Sequence, residues 1–270
     1  MEQRSRAAPP AQPFDELQLR ATVSRRDVEA ARYRAAPDRE AYLRLHSGLP
    51  GPRGNLELID VASAESDRAD LERWAALTPD EAPENTPDVF LGCVGLVGLG
   101  RIVAGGDRSL VPALRRAAND QRWRVREAVA MALQAWADVD LNDVLSEMDR
   151  WSTGTPLEGR AAMAALCEPR LLRERATVAR TLAILDRLTA SVRDAEDPRA
   201  DDVRVLRQGL GYGWSVAVAA DPAIGLPAFE RWRDDQDADV RWVVRENLGK
   251  ARLAKLMGRQ TSVSNQAVGA

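Results

Sequence analysis

Lysine is almost missing from this 270-residue sequence: of 38 basic residues only Lys250 and Lys255 are lysines, and the other 36 are arginines. That bias, with abundant alanine, is what a GC-rich bacterial gene would produce. Histidine is scarcer still, represented by His46 alone, and the two cysteines, Cys93 and Cys167, stand 74 residues apart. One histidine and two distant thiols give no metal-ligand spacing. A Ser-His-Asp site would have to be built around His46 at the end of the helical stretch YLRLHSG, where a cation is favoured anyway. No catalytic residue, metal or cofactor is therefore expected. Both cysteines lie in apolar surroundings and read as buried reduced thiols, which fits a cytoplasmic protein.

Long hydrophobic runs are lacking too. The longest, VFLGCVGLVGLG over 89–100, has 12 residues and ends at Arg101, short of the roughly 20 that a spanning helix needs. The opening MEQRSRAAPPAQP has no apolar segment of signal-peptide type, so neither export nor a membrane is expected. A net charge of −3 gives no global attraction to nucleic acid or anionic lipid, which leaves any such binding to a local patch.

What is present is helical periodicity. Val125, Ala128, Val129, Ala132, Leu133 and Trp136 recur at three and four residues, one face of a helix, while alternating strand patterns are nearly absent. Thr86-Pro87, Thr155-Pro156 and Asp221-Pro222 each place a capping oxygen before a proline whose missing N–H is harmless at the first helical position. Thr155 with Glu158 and Thr78 with Glu81 have capping-box spacing, so each predicts a helix start. About twelve helices are expected. The polar or proline-rich ends, 1–13 and 258–270, read as loose tails around a folded part over 14–257.

A phrase recurs. DQRWRVRE at 120–127 and DVRWVVRE at 239–246 share Asp-x-Arg-Trp-x-Val-Arg-Glu; DDVRVLR at 201–207 and GTPLEGR at 154–160 keep the interval. Copies starting at 120, 154, 201 and 239 are offset by 34, 47 and 38 residues, the size of a helix pair per unit. An amphipathic helix precedes each. The pattern resembles HEAT repeats, well over 107–253 and weakly before; over 36–106 two further helix pairs are inferred from pattern alone. The resemblance implies an all-α fold, a right-handed α-α superhelix of five to six helix pairs, with divergent units over 14–106 and regular ones over 107–257. It also implies a ladder of hydrogen bonds between neighbouring units from Asp120, Asp201 and Asp239 and from Arg126, Arg160, Arg207 and Arg245, broken at Gly154, which replaces the aspartate.

Three features remain for function. The glycines Gly92, Gly95, Gly98 and Gly100 lack the lysine of a phosphate loop and the third glycine of a dinucleotide fingerprint; they read as a face for close helix packing or as a groove for a small ligand. The arginines at 115, 116, 122, 124 and 126 could meet anions, or serve the ladder and solvated ion pairs. Opposite the core stripe of the second helices fall Trp123, Glu127, Gln134, Arg204, Gln208, Tyr212, Trp242 and Glu246. In HEAT-like solenoids the second helices line the concave face, so the resemblance places these residues there, unless Trp123 and Trp242 tuck between units. The leading expectation is a non-enzymatic scaffold whose concave face holds a protein or peptide. The alternative is a glycosylase similar to the HEAT-like alkylation-repair family, with the aromatics and glutamates around a damaged base; that family's catalytic motif finds no match, and the acidic balance disfavours nucleic acid.

Overall fold

A computed structural model of the chain describes residues 24–257, and among them every regular element is helical. The elements are α1 Arg25–Ala35, α2 Arg39–His46, α3 Leu56–Glu65, α4 Arg68–Ala75, α5 Pro87–Ala104, α6 Val111–Ala118, α7 Trp123–Ala137, α8 Leu141–Trp151, α9 Pro156–Leu166, α10 Arg175–Arg193, α11 Asp201–Ala220, α12 Pro222–Glu230 and α13 Ala238–Leu248. A single 3-10 turn, Arg108–Leu110, leads into α6, and 251–257 are helical again. The terminal segments read from sequence as tails, and residues 14–23 of the expected folded part, lie outside the described residues.

The helix starts follow the local chemistry at three of four places. Thr155 and Glu158 close a capping box on α9, Asp221 caps α12 through the Ala223 N–H, and Thr86 precedes Pro87 at the start of α5. The Thr86 hydroxyl does not cap; it donates back to Pro83 O at 2.7 Å. The fourth expectation is corrected. Thr78 and Glu81 bond each other as a box, yet residues 78–86 form only turns, because Pro83 follows two residues later and a proline removes the N–H that would extend the helix.

The odd-numbered helices form one row, α3 on α5, α5 on α7, α7 on α9, α9 on α11 and α11 on α13, while α6, α8 and α10 each lie against the second helix of their own unit and α12 lies against α11 and α10. The result is an all-α solenoid. From α6 to α11 the units are the expected pairs, α6/α7, α8/α9 and α10/α11; the fourth is corrected, since α12 packs on α10 and α11 and α13 packs on α11. Over 36–106 the expectation of two pairs is corrected: α4 pairs with α5, but α2 and α3 both lean on α5 instead of on each other. The cause is α5 itself, with 13 of its 18 residues buried, since a helix that is apolar all round accepts neighbours on every side. By length and composition α5 could cross a membrane, but 72% of it is buried inside the protein, as in a core helix.

Two glycines fix how near those neighbours come. A Cβ at Gly95 would lie 2.4 Å from the Ala75 backbone N of α4, and one at Gly100 would lie 2.4 Å from Ala132 O of α7. Backbone atoms cannot step aside as a side-chain tip can. Gly92 has ordinary room, its nearest neighbour being Trp74 O at 3.6 Å. Gly100→Ala should therefore destabilise the protein by about 1–3 kcal/mol through overpacking, in spite of alanine's better helix propensity of about 1 kcal/mol. Gly92→Ala should leave the melting temperature unchanged or raise it; equal melting temperatures for the two variants would contradict this packing account.

Candidate interaction face

The repeated phrase sits differently on its helices in its three aspartate copies. Asp120 lies ahead of α7, Asp201 is the first residue of α11, and Asp239 is the second residue of α13. The same interval in sequence therefore aims three carboxylates in three directions. Asp239 accepts an ion pair from Arg207 of the preceding unit, an inter-unit rung. Arg160 of α9 pairs with Glu127 of α7 and donates to Arg126 O at 3.3 Å, a second rung with a glutamate in place of the aspartate.

The other expected rungs are corrected. Asp120 binds not Arg126 but Arg122, at 2.7 and 2.9 Å, while Arg126 donates to the backbone oxygens of Asp120 and Gln121 at 2.6 and 2.9 Å within its own unit. Burial, then the nearby Arg160 charge, lowers the Arg126 guanidinium from its ordinary pKa. The Asp201 side chain is 95% exposed and meets only Arg204 at 3.2 Å, because a residue at the first position of α11 points away from the neighbouring unit. Arg245 is exposed, and its side chain makes no hydrogen bond or ion pair among the described residues.

At Gly154 the missing aspartate is replaced by another acid. Glu158 is buried and accepts from Arg115 at 2.7 Å and from Asn119 at 3.3 Å. A Cβ at Gly154 would stand 1.8 Å from Glu158 Oε2, so the glycine makes room for this carboxylate. Burial alone would raise the Glu158 pKa, but Arg115, Asn119 and the Thr155 N–H outweigh it and hold the carboxyl below its usual range.

Sequence reasoning missed the two most buried arginines. Arg122 is 6% and Arg124 8% exposed, neither solvated nor part of the ladder. Besides its two bonds to Asp120, Arg122 donates to the backbone oxygens of Leu77, Thr78 and Ala82 at 2.8, 3.1 and 3.0 Å. All five guanidinium N–H groups are thus satisfied. Arg124 reaches Gly51 O at 2.6 Å and Asn85 Oδ1 at 3.0 Å, and its Nε lies 3.3 Å from Glu84 as an ion-pair contact without hydrogen-bond geometry. Together they staple the loops at 47–55 and 78–86 to the start of α7. The only sequence signal was the proline-rich loop itself, whose carbonyls need donors from somewhere.

The candidate face residues fall into two groups. Trp123, 46% exposed, opens α7 with the Arg124 guanidinium 4.4 Å from its ring, and Glu127 follows one turn later. On α11 and α13, Tyr212 is 47% exposed, lies under Arg252 at 4.8 Å and accepts its N–H at 2.9 Å; Gln208 is exposed beside it. Trp242 is half-buried, held under Arg207 at 4.8 Å and against Gly211, where a Cβ would meet its ring at 2.8 Å. Trp242 is therefore tucked between units and is not an open anchor. Gln134 is half-buried and donates to Ala164 O at 3.1 Å, joining α7 to α9, while Glu246 lies 3.9 Å from Lys250. The α7 group and the α11/α13 group are separated by α9, so they do not converge on one cavity.

Other candidates from the sequence resolve as follows. Gly95 and Gly100 are spent on packing, and Gly92 borders a groove of 540 Å³ with Leu96, Leu99, Arg116 and Val125 among its walls. His46 is exposed at the end of α2 with the Tyr42 ring 4.2 Å away and tilted by 40°. Cys93 and Cys167 are free and buried, and burial pushes each thiol up to about 12, far from nucleophilic thiolate at neutral pH. No group of three or more His, Cys, Asp or Glu with metal-binding geometry occurs among the described residues.

Residues 110–139 match the HEAT repeat family model, a span that contains α6 and α7. No curated protein and no solved structure matches the chain. With the all-helical stack, the family match supports a HEAT-like repeat protein.

Two outcomes follow from the buried charges. Arg122→Ala leaves Asp120 and three loop carbonyls without their donor and should lower stability by about 3–5 kcal/mol, readable by denaturant titration. Because the folded pKa of Glu158 is depressed, its contribution is full above the usual glutamate pKa of about 4.3 and is lost as pH falls through the folded value. The melting-temperature gap between wild type and Glu158→Gln should therefore be widest at neutral pH and close on acidification.

Proposed function

We propose that this chain is a non-enzymatic binding protein that holds a protein or peptide partner on the exposed face of its second helices. The observation that carries the reading is Trp123, a large aromatic left 46% exposed at the start of a rigid helix and bordered by Glu127 with its Arg160 partner. An exposed aromatic within mixed charge is the usual make-up of an interface anchor. Tyr212, nearly as exposed, offers a second contact two units further on. The charge pattern favours protein over nucleic acid: along this row Arg160, Arg204 and Arg207 are each engaged by Glu127, Asp201 or Asp239, so no continuous basic stripe is free to follow a phosphate backbone. A cytoplasmic location belongs to the proposal, on the ground that both thiols are unpaired.

The test is capture from the native host's lysate, with and without nuclease, using wild type beside Trp123→Ala. The reading requires a nuclease-resistant protein whose affinity falls by roughly 2 kcal/mol or more in the variant. Trp123→Ala should change stability by no more than about 0.5 kcal/mol, whereas Trp242→Ala, which empties a seat between units, should lower it by about 3 kcal/mol. Recovery of nuclease-sensitive nucleic acid alone would reject the protein-partner reading in favour of a nucleic-acid one.

A further inference from the structure

At two places in the row the arginine that closes the repeated phrase finds a carboxylate of another unit, whereas Arg126 meets backbone oxygens of its own unit and Arg245 of α13 meets neither. Arg160 and Arg207 stand at the same place in the repeated phrase as Arg245; they reach Glu127 and Asp239. The Arg245 side chain reaches no such partner among the described residues. Arg241, one helical turn earlier on the same face of α13, is also exposed, and its side chain too is without a hydrogen bond, ion pair or ring contact among the described residues. Over 241–255 five cations, Arg241, Arg245, Lys250, Arg252 and Lys255, face one carboxylate, Glu246, and both lysines of the chain are among them. Glu246 lies with Lys250 and Arg252 lies over Tyr212.

We propose that the α13 face bearing Arg241 and Arg245 docks an acidic helical segment of a partner protein, whose carboxylates meet these guanidinium groups as Glu127 meets Arg160 and Asp239 meets Arg207. Two exposed cations one turn apart, neither with a carboxylate of its own, select an anionic complement. Guanidinium forks bind carboxylates bidentately, and positions i and i+4 lie about 6 Å apart, the spacing at which glutamates four apart on a partner helix present their acids. A nucleic-acid surface is disfavoured, since two adjacent arginines are fewer than the roughly 6–10 phosphate contacts of a strongly salt-dependent binder. This surface is distinct from the Trp123 face and does not depend on it.

The probe is a fluorescein-labelled helical peptide with glutamate at every fourth position, titrated with the full chain by anisotropy in about 50 mM salt, where exposed charges are little screened. Wild type should bind; Arg241→Glu/Arg245→Glu should weaken binding by about tenfold or more, and Arg241→Gln/Arg245→Gln by a smaller factor. Arg173→Glu/Arg199→Glu, a control pair of exposed arginines outside α13, and Trp123→Ala should each stay within about twofold of wild type. Far-UV circular dichroism checks each fold, and if the Glu pair does not fold the Gln pair carries the comparison. Absence of wild-type binding, or equal loss in the control pair, overturns the proposal. So does tighter binding of a single-stranded oligonucleotide or a phosphatidylserine vesicle that the same α13 substitutions abolish.

Discussion

The contact between Gly100 of α5 and Ala132 of α7 is backbone against backbone, with no space for a methyl group. Everything else in the stack depends on it. N-terminal to it α2, α3 and α4 are arranged around α5; C-terminal to it the regular units extend from α7 one helix at a time. A helix pair cannot bury its own apolar face, so each unit is completed by its neighbour. At the junction the neighbour is irregular, and close approach replaces the repeated geometry. The buried side chains accordingly form one continuous cluster from Ala30 to Leu253.

Onto this apolar stack the arginines add register. Many reach a carboxylate between 31 and 45 residues away, from Arg34 to Glu65 up to Arg231 to Asp186, which is the length of one unit. Most such pairs are exposed and each contributes only about 0–1 kcal/mol, so they select the alignment of one unit on the next more than they stabilise the fold. Arg122 differs because it is buried and fully bonded. It holds a proline-rich loop that has no helix of its own and would otherwise leave carbonyls unmet.

Function attaches to what this stacking leaves over. Trp242 is taken up between α11 and α13, Gln134 between α7 and α9, and most arginines of the second-helix row are engaged by acids. The exposed aromatics Trp123 and Tyr212 are residual surface in that sense, and so are the unpaired side chains of Arg241 and Arg245 on α13. Binding capacity in a repeat protein resides where the repeat's own demands have already been met, which is why it varies while the fold persists.

The sequence by itself determined the helical class, the helix starts at Thr155 and Asp221, and the pairing of helices from α6 to α11, since periodicity, capping and the phrase at 120, 154, 201 and 239 are local or evenly repeated signals. The role of the glycines in α5 was legible as one of two options. Tertiary structure alone decided between those options, and it alone arranged α2 and α3 around α5. It also decided which arginine each aspartate meets: Asp120, Asp201 and Asp239 carry the same phrase, but they stand three residues ahead of α7, first in α11 and second in α13, so Asp120 lies outside its helix while the other two differ by one residue, about 100° of rotation at about 3.6 residues per turn. For the same reason Trp123 and Trp242, identical in the phrase, end up one exposed and one tucked between units. Sequence spacing specifies which residues share a helix face; only packing specifies what that face meets.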